Sequence, residues 1–144
     1  MVTNDLPAGL KSFLDAMHAR DAKGAAQYLA ENVTLKSPIV VEPFVGRDQS
    51  AGILTHLLGI IDEFTVVDFL VSETHFAVVF NIRAGATSVQ GMDYIHTDDT
   101  GKVDSMTISW RPLPAVVAVQ NRLAPAIGIP ALALVPVSEL PARA

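Results

Sequence analysis

GMDYIHTDDTGKVDSM, residues 91–106, carries the pattern on which the fold reading turns. Apolar and polar side chains alternate on both sides of a short polar piece, as in two β-strands joined by a tight turn. Gly101 suits the left-handed position that follows a type I turn. In the middle of the first strand stands Asp93, where a core residue is expected. A carboxylate is costly to bury unless it is paired or gives up its charge, so this placement needs a physical reason.

Strand parity says which neighbours it has. Val89, Gly91, Asp93 and Ile95 share one face, and Gln90, Met92, Tyr94 and His96 share the other. In the strand that follows, Met106, Ile108 and Trp110 lie opposite Ser105, Thr107 and Ser109. In the strand that precedes, Phe76, Val78, Phe80 and Ile82 alternate with Ala77, Val79, Asn81 and Arg83. The apolar sets are expected to meet the helices, which puts Asp93 among aliphatic and aromatic side chains. Two readings stay open for it. It faces solvent or caps backbone groups at a bulge beside Gly91, or it is a desolvated carboxyl with a raised pKa that donates to a ligand.

Farther out, FTVVDFLV and FAVVFNIR are strands rich in β-branched and aromatic residues, and SETH, AGA and DDTG have the residues of hairpin turns. Together with TSVQGMDYIHT and VDSMTISW they predict a four-stranded antiparallel meander. Upstream the apolar period is helical: Leu10, Phe13, Leu14 and Met17 mark one helix, and Ile53, Leu54, Leu57, Leu58 and Ile61 another. Between them Asp21 is a candidate N-cap for a short helix over AKGAAQYLA, followed by an extended NVTLKSP. AVVAVQNRLA predicts a last helix, and the apolar remainder is cut by Pro125, Pro130, Pro136 and Pro141. Helices first and a meander second predict an α+β domain with the helices on one face of a curved sheet.

Composition narrows the function classes. Of 144 residues half are apolar and only 17% are charged, which favours a lined cavity, an oligomer interface or both. A net charge of −5 without a basic cluster argues against a nucleic-acid partner. The absence of cysteine excludes a disulfide frame and a thiolate metal site. His18, His56, His75 and His96 form no pair at metal-ligand spacing, and no motif calls for a cofactor. Residues 1–11 lack the basic and apolar regions of a signal peptide, and the apolar run 127–137 is too short to span a bilayer. A cytoplasmic protein without a membrane partner is the expectation.

Tyr28-Leu29-Ala30-Glu31-Asn32-Val33 running into Ser37-Pro38, then Gly46-Arg47-Asp48, then Gly91-x-Asp93 eight residues before Gly101-Lys102, occur in an order and spacing found in one superfamily. Over residues 8–112 the chain resembles the nuclear transport factor 2-like superfamily, which includes SnoaL-like polyketide cyclases, limonene-epoxide hydrolase and steroid Δ-isomerase. The resemblance implies a cone in which an antiparallel sheet wraps around N-terminal helices and encloses an apolar pocket for a small hydrophobic molecule. Asp93 matches the aspartic acid that serves the isomerases as an oxyanion donor, a carboxyl kept neutral by apolar surroundings. Phe13, Met17, Ser37, Val78, Phe80, Ile108 and Trp110 are the expected pocket lining.

Two departures restrict the implied activity. Phe13 stands where the isomerases place a donor tyrosine, and Ser37 stands where their proton-shuttling aspartate precedes the proline. Serine at its ordinary pKa does not take a carbon-bound proton at neutral pH, so an intact steroid isomerase is not expected. The hydrolases' Trp-Arg-Asp is here Trp110-Arg111-Pro112.

The remaining base candidates are weak. Asp68 interrupts a strand, and exposure to solvent or an interface is its commoner fate. His18 neighbours Met17 but sits at a position more typical of a helix surface. Gly46-Arg47-Asp48 reads as a turn and helix cap rather than a phosphate loop. The expectation is a domain over 1–112 and a helix with an apolar tail over 113–144, the tail covering the cavity mouth or lying across a partner subunit. The function expected is an isomerase, cyclase, lyase or hydrolase using Asp93, or else a non-catalytic binding domain. A homodimer through the outer sheet face is the expected assembly, with Met92, Tyr94 and His96 in the contact.

Overall fold

The computed structural model describes residues 5–142. Helix α1 (Ala8–His18) buries Leu10, Phe13, Leu14 and Met17, the set that its period picks out. A short α2 (Ala22–Ala26) is capped by Asp21, whose carboxylate accepts from the Gly24 N–H at 2.9 Å. Strands β1 (Leu29–Lys36) and β2 (Phe44–Val45) follow, then α3 (Arg47–Ile60). The meander consists of β3 (Glu63–Val71), β4 (His75–Ala84), β5 (Thr87–Thr97) and β6 (Val103–Arg111). Helix α4 (Leu113–Ile127) ends at Gly128, which adopts the left-handed conformation at φ 70°. Among the described residues no helix is long and apolar enough to cross a membrane.

The sheet has six strands in the order β2-β1-β6-β5-β4-β3. The α+β cone is as expected, with two additions. Helix α2 stops at Ala26 instead of running through AKGAAQYLA, because Leu29 is the first residue of β1. The Val103 N–H donates to the Tyr28 carbonyl at 2.8 Å, drawing the chain into the sheet before the helix can continue. β1 then runs parallel to β6, pairing Leu35 with Met106. Inside the sheet, Phe64, Phe76, Val78, Phe80, Ile82, Val89, Ile95, Val103 and Met106 pack on the apolar faces of α1 and α3.

The motifs that carry the resemblance hold these parts together. Gly46 sits at φ 89°, and the Arg47 guanidinium donates to the Leu29 carbonyl at 3.0 Å, so the start of α3 is tied to β1. In the β5–β6 turn one Asp98 carboxylate oxygen accepts from the Thr100 N–H, the Thr100 hydroxyl and the Lys102 N–H. These bonds hold its pKa below the ordinary value. Lys102 donates to the Gln27 carbonyl at 2.7 Å, fastening that turn to the end of α2.

Gly91 has a packing reason. A Cβ there would lie 2.3 Å from the Phe80 ring and 2.9 Å from Trp110 Cδ1. Gly52, inside α3, has nothing within 4 Å of its missing Cβ. Gly91→Ala is therefore expected to cost about 1–3 kcal/mol by overpacking. Gly52→Ala is expected to gain up to about 1 kcal/mol from helix propensity. Urea unfolding of the two variants checks this, and equal effects would contradict the close approach at Gly91.

Candidate functional site

β5 is paired on both sides: Asp93 lies opposite Val78 of β4 and opposite Ile108 of β6. The alternation along β5 is complete, with Val89, Gly91, Asp93 and Ile95 buried and Gln90, Met92 and Tyr94 exposed. Asp93 is 3% exposed, and its Oδ1 has no hydrogen-bond partner. Burial among apolar side chains, with no compensating donor, pushes its pKa up from 3.8 to about 8. At neutral pH the group is thus mostly a neutral carboxylic acid, a donor as well as an acceptor.

Two more buried polar atoms lack partners on the elements around it. One is Nε1 of Trp110, whose residue pairs with Gly91, the neighbour of Asp93 on the inward face. The other is Oε1 of Gln120 on α4; the Nε2 of the same amide donates to the Pro130 carbonyl at 2.9 Å. Leaving such a group unpaired costs about 1–3 kcal/mol. The fourth, Ser50 Oγ, lies in the first turns of α3.

An apolar cavity does open between α3 and the sheet, lined by Ser37, Pro38, Ile53, Leu54, Ile108 and Trp110, but its volume is only ≈ 20 Å³. That is room for about one water. The expected pocket is filled because α4 packs against α3, β5 and β6, and its Leu123 projects into the cavity wall. Ser37, Ile108 and Trp110 line this space; Phe13, Met17, Val78 and Phe80 belong to the close-packed core. Sequence reading missed Leu123 and Gln120. Their signal was the spacing of Val119, Gln120 and Leu123 on one helix face, which is buried. The covering is done by α4, while residues 131–142 are exposed.

Ser37 and the two base candidates are otherwise engaged. Ser37 Oγ accepts from the Ile39 and Val40 N–H groups at 3.1 Å each and so holds a turn. Asp68 is exposed and accepts from the Phe69 N–H at 2.8 Å. A bulge between Val66 and Asp68 turns it away from the inward face it would otherwise share with Phe64. His18 uses Nδ1 to bond the Phe64 carbonyl at 2.9 Å, tying α1 to β3. Among the described residues no group of three or more His, Asp or Glu side chains could hold a metal.

A family model for the SnoaL-like domain matches residues 10–106. No curated protein matches the sequence. Among solved structures, a bacterial protein with a cystatin-like fold from Silicibacter pomeroyi DSS-3 superposes with a TM-score of 0.81 at 21% identity, covering 88% of this chain and 89% of that one. A steroid delta-isomerase from Pseudomonas aeruginosa gives 0.75 at 23% identity, covering 88% and 96%. The epoxide hydrolase/cyclase-like enzyme SalBIII, with a role in pyran ring formation in the polyether salinomycin, gives 0.63 at 16%, covering 72% and 88%. At these identities the likeness is one of fold.

The raised pKa of Asp93 sets a pH dependence. The folded chain keeps a proton that the unfolded chain releases above about pH 4, so its contribution is full below that value. Stability then falls by up to about 1.4 kcal/mol per pH unit as pH rises toward about 8, and this loss ends above it. Asp93→Asn carries no titrating group and is expected to gain on wild type across that window, most at its upper end. Urea titrations spaced through the window check the prediction, and a constant difference between the proteins would mean that the carboxyl is solvated.

Proposed function

We propose that this chain, which belongs to the SnoaL-like domain family, takes a small hydrophobic molecule between its helices and sheet and acts on it with Asp93. The reaction class is a cofactor-independent isomerisation, cyclisation, elimination or hydrolysis. The observation that carries this reading is a buried carboxyl without a partner, facing an apolar interior. A neutral carboxylic acid there can hydrogen-bond a substrate oxygen, or protonate it as bonding electrons move onto it.

The positions of Ser37, Asp68 and His18 favour some of these reactions over others. None of the three offers a base beside Asp93, so proton abstraction from carbon has no agent among these candidates. Reactions that begin by polarising or protonating an oxygen need only the acid. Ring closure and epoxide opening by an internal nucleophile or water are of that kind.

Binding in this reading displaces α4. A small-molecule site needs on the order of 300 Å³, against ≈ 20 Å³ in the closed form. Leu123→Ala removes the side chain that closes the wall and is expected to tighten binding of an apolar fluorescent dye, at a stability cost of about 2–5 kcal/mol. Incubation of wild type and Asp93→Asn with a panel of apolar epoxides, ketones and enones, followed by mass spectrometry, tests catalysis. Turnover of any of them that Asp93→Asn leaves unchanged would remove Asp93 from the chemistry. Dye binding with no turnover across the panel favours a binding domain without chemistry.

The outer sheet face supports a homodimer as a second element of the proposal. Val67, Leu70, Met92 and Tyr94 are exposed there. A groove of ≈ 410 Å³ runs along that face, lined by Val67, Val79, Met92, Asn81, Gln90 and Arg111. Met92→Lys is expected to turn a sedimenting dimer into a monomer, and a monomeric wild type at micromolar concentration would refute the assembly.

A further inference from the structure

Trp110 is the only tryptophan in the sequence, and its indole lies where the pairing of β5 with β6 forces it. Gly91 pairs with Trp110, and Asp93 pairs with Ile108. Trp110 and Asp93 are therefore diagonal neighbours on the inward face, with Cβ atoms about 7 Å apart, within reach of an aromatic side chain. The missing Cβ of Gly91 would lie 2.9 Å from Trp110 Cδ1, the ring atom bonded to Nε1. The N–H edge of the indole thus sits over the glycine next to the acid on that face. Phe80, opposite Gly91 on β4, approaches the same point from the other side.

The polar groups at this spot do not satisfy one another. Trp110 Nε1 and Asp93 Oδ1 are both buried and both without a partner. An indole N–H only donates. Phe13, on α1, has no hydroxyl to contribute a further donor or acceptor. Ile108, Leu54, Leu57 and Leu123, which line the cavity beside Trp110, offer carbon alone.

From this geometry we infer that Trp110 is a second hydrogen-bond donor of the site, and that the ligand carries an acceptor oxygen (a carbonyl, ether or epoxide) held between the indole N–H and the Asp93 carboxyl. The inference rests on the proposed role of Asp93 and adds to it a substrate class and a residue. Its chemical content is that one oxygen receives two donors in a water-poor setting. Charge that accumulates on that oxygen during reaction is then stabilised from two directions. The rest of the ligand is apolar, matching Ile108 and the α3 leucines.

The test uses an aryl ketone, 2-acetylnaphthalene, and 2-isopropenylnaphthalene, a hydrocarbon of nearly the same shape. Wild type is expected to bind the ketone more tightly, to lower its infrared carbonyl stretch, and to show a red shift of Trp110 emission with the ketone alone. Trp110→Phe keeps a ring in place and removes the N–H. It is expected to reduce the ketone's advantage about threefold to tenfold and to return part of the carbonyl shift. Asp93→Leu is expected to return the other part. A carbonyl shift that survives Trp110→Phe and disappears in Asp93→Leu overturns the role of Trp110 and leaves that of Asp93 standing. A wild type that holds the ketone no better than the hydrocarbon overturns both.

Discussion

The two-residue alternation of β5, locked between β4 and β6, is the constraint on which the rest of the molecule depends. Its pairing with β4 runs without a break from His75 opposite His96 to Ala84 opposite Thr87. A slip of one residue would turn Val89 and Ile95 into solvent and bring Gln90 and Tyr94 inside, so the register has little freedom. Asp93 goes inward because its neighbours must. Its desolvation is enforced by apolar burial along the whole strand, and no local partner draws it in. That is why the carboxyl can be held neutral without any charged group nearby.

Helix α4 completes the same interior from the other side. It lies beyond residues 10–106, the segment that matches the SnoaL-like domain model, yet Val119, Leu123 and Ala124 are as buried as the core of the domain. Among the described residues the fold concentrates its unmet buried side-chain hydrogen bonds on a few groups, Asp93, Trp110, Gln120 and Ser50. A structure that leaves donors and acceptors dry where sheet and capping helix meet is less favourable there than it would be with a polar partner in place. The apolar wall and the orphan polar atoms are the observations on which the proposed ligand, an oily molecule with few heteroatoms, rests.

Much of this was legible in the sequence. The strands of the meander announced themselves through alternation, while alternation left two readings open for Asp93, of which the buried one matches its 3% exposure. What escaped was whatever depends on distant pairing or on a single inserted residue. The first residues of β1, Leu29 and Ala30, looked like the end of a helix because AKGAAQYLA has a helical apolar period, and the partner strand β6 is far along the chain. Asp68 shares parity with Phe64 and Val66, and only the bulge at Val67 sends it outward; nothing in FTVVDFLV marks that bulge. The pocket volume escaped for a related reason. The period of α4 says which of its faces is apolar, and docking alone decides what that face fills.

The parallel pairing of β1 with β6 also dictates an order of events during synthesis. β1 leaves the ribosome early, and the strand that saturates its inner edge, β6, is made only after α3 and the other three strands of the meander. Until then the N–H and C=O groups of Leu29–Lys36 on that side face water or any strand that comes near. Glu31, Asn32 and Lys36, all exposed in the finished fold, keep this waiting edge soluble. The hairpins of β3 to β6 close over short turns, whereas pairing β1 with β6 closes a far longer stretch of chain and carries the larger entropy cost. Asp93 on β5 consequently keeps water within reach until α4, the last α-helix made, docks over the interior.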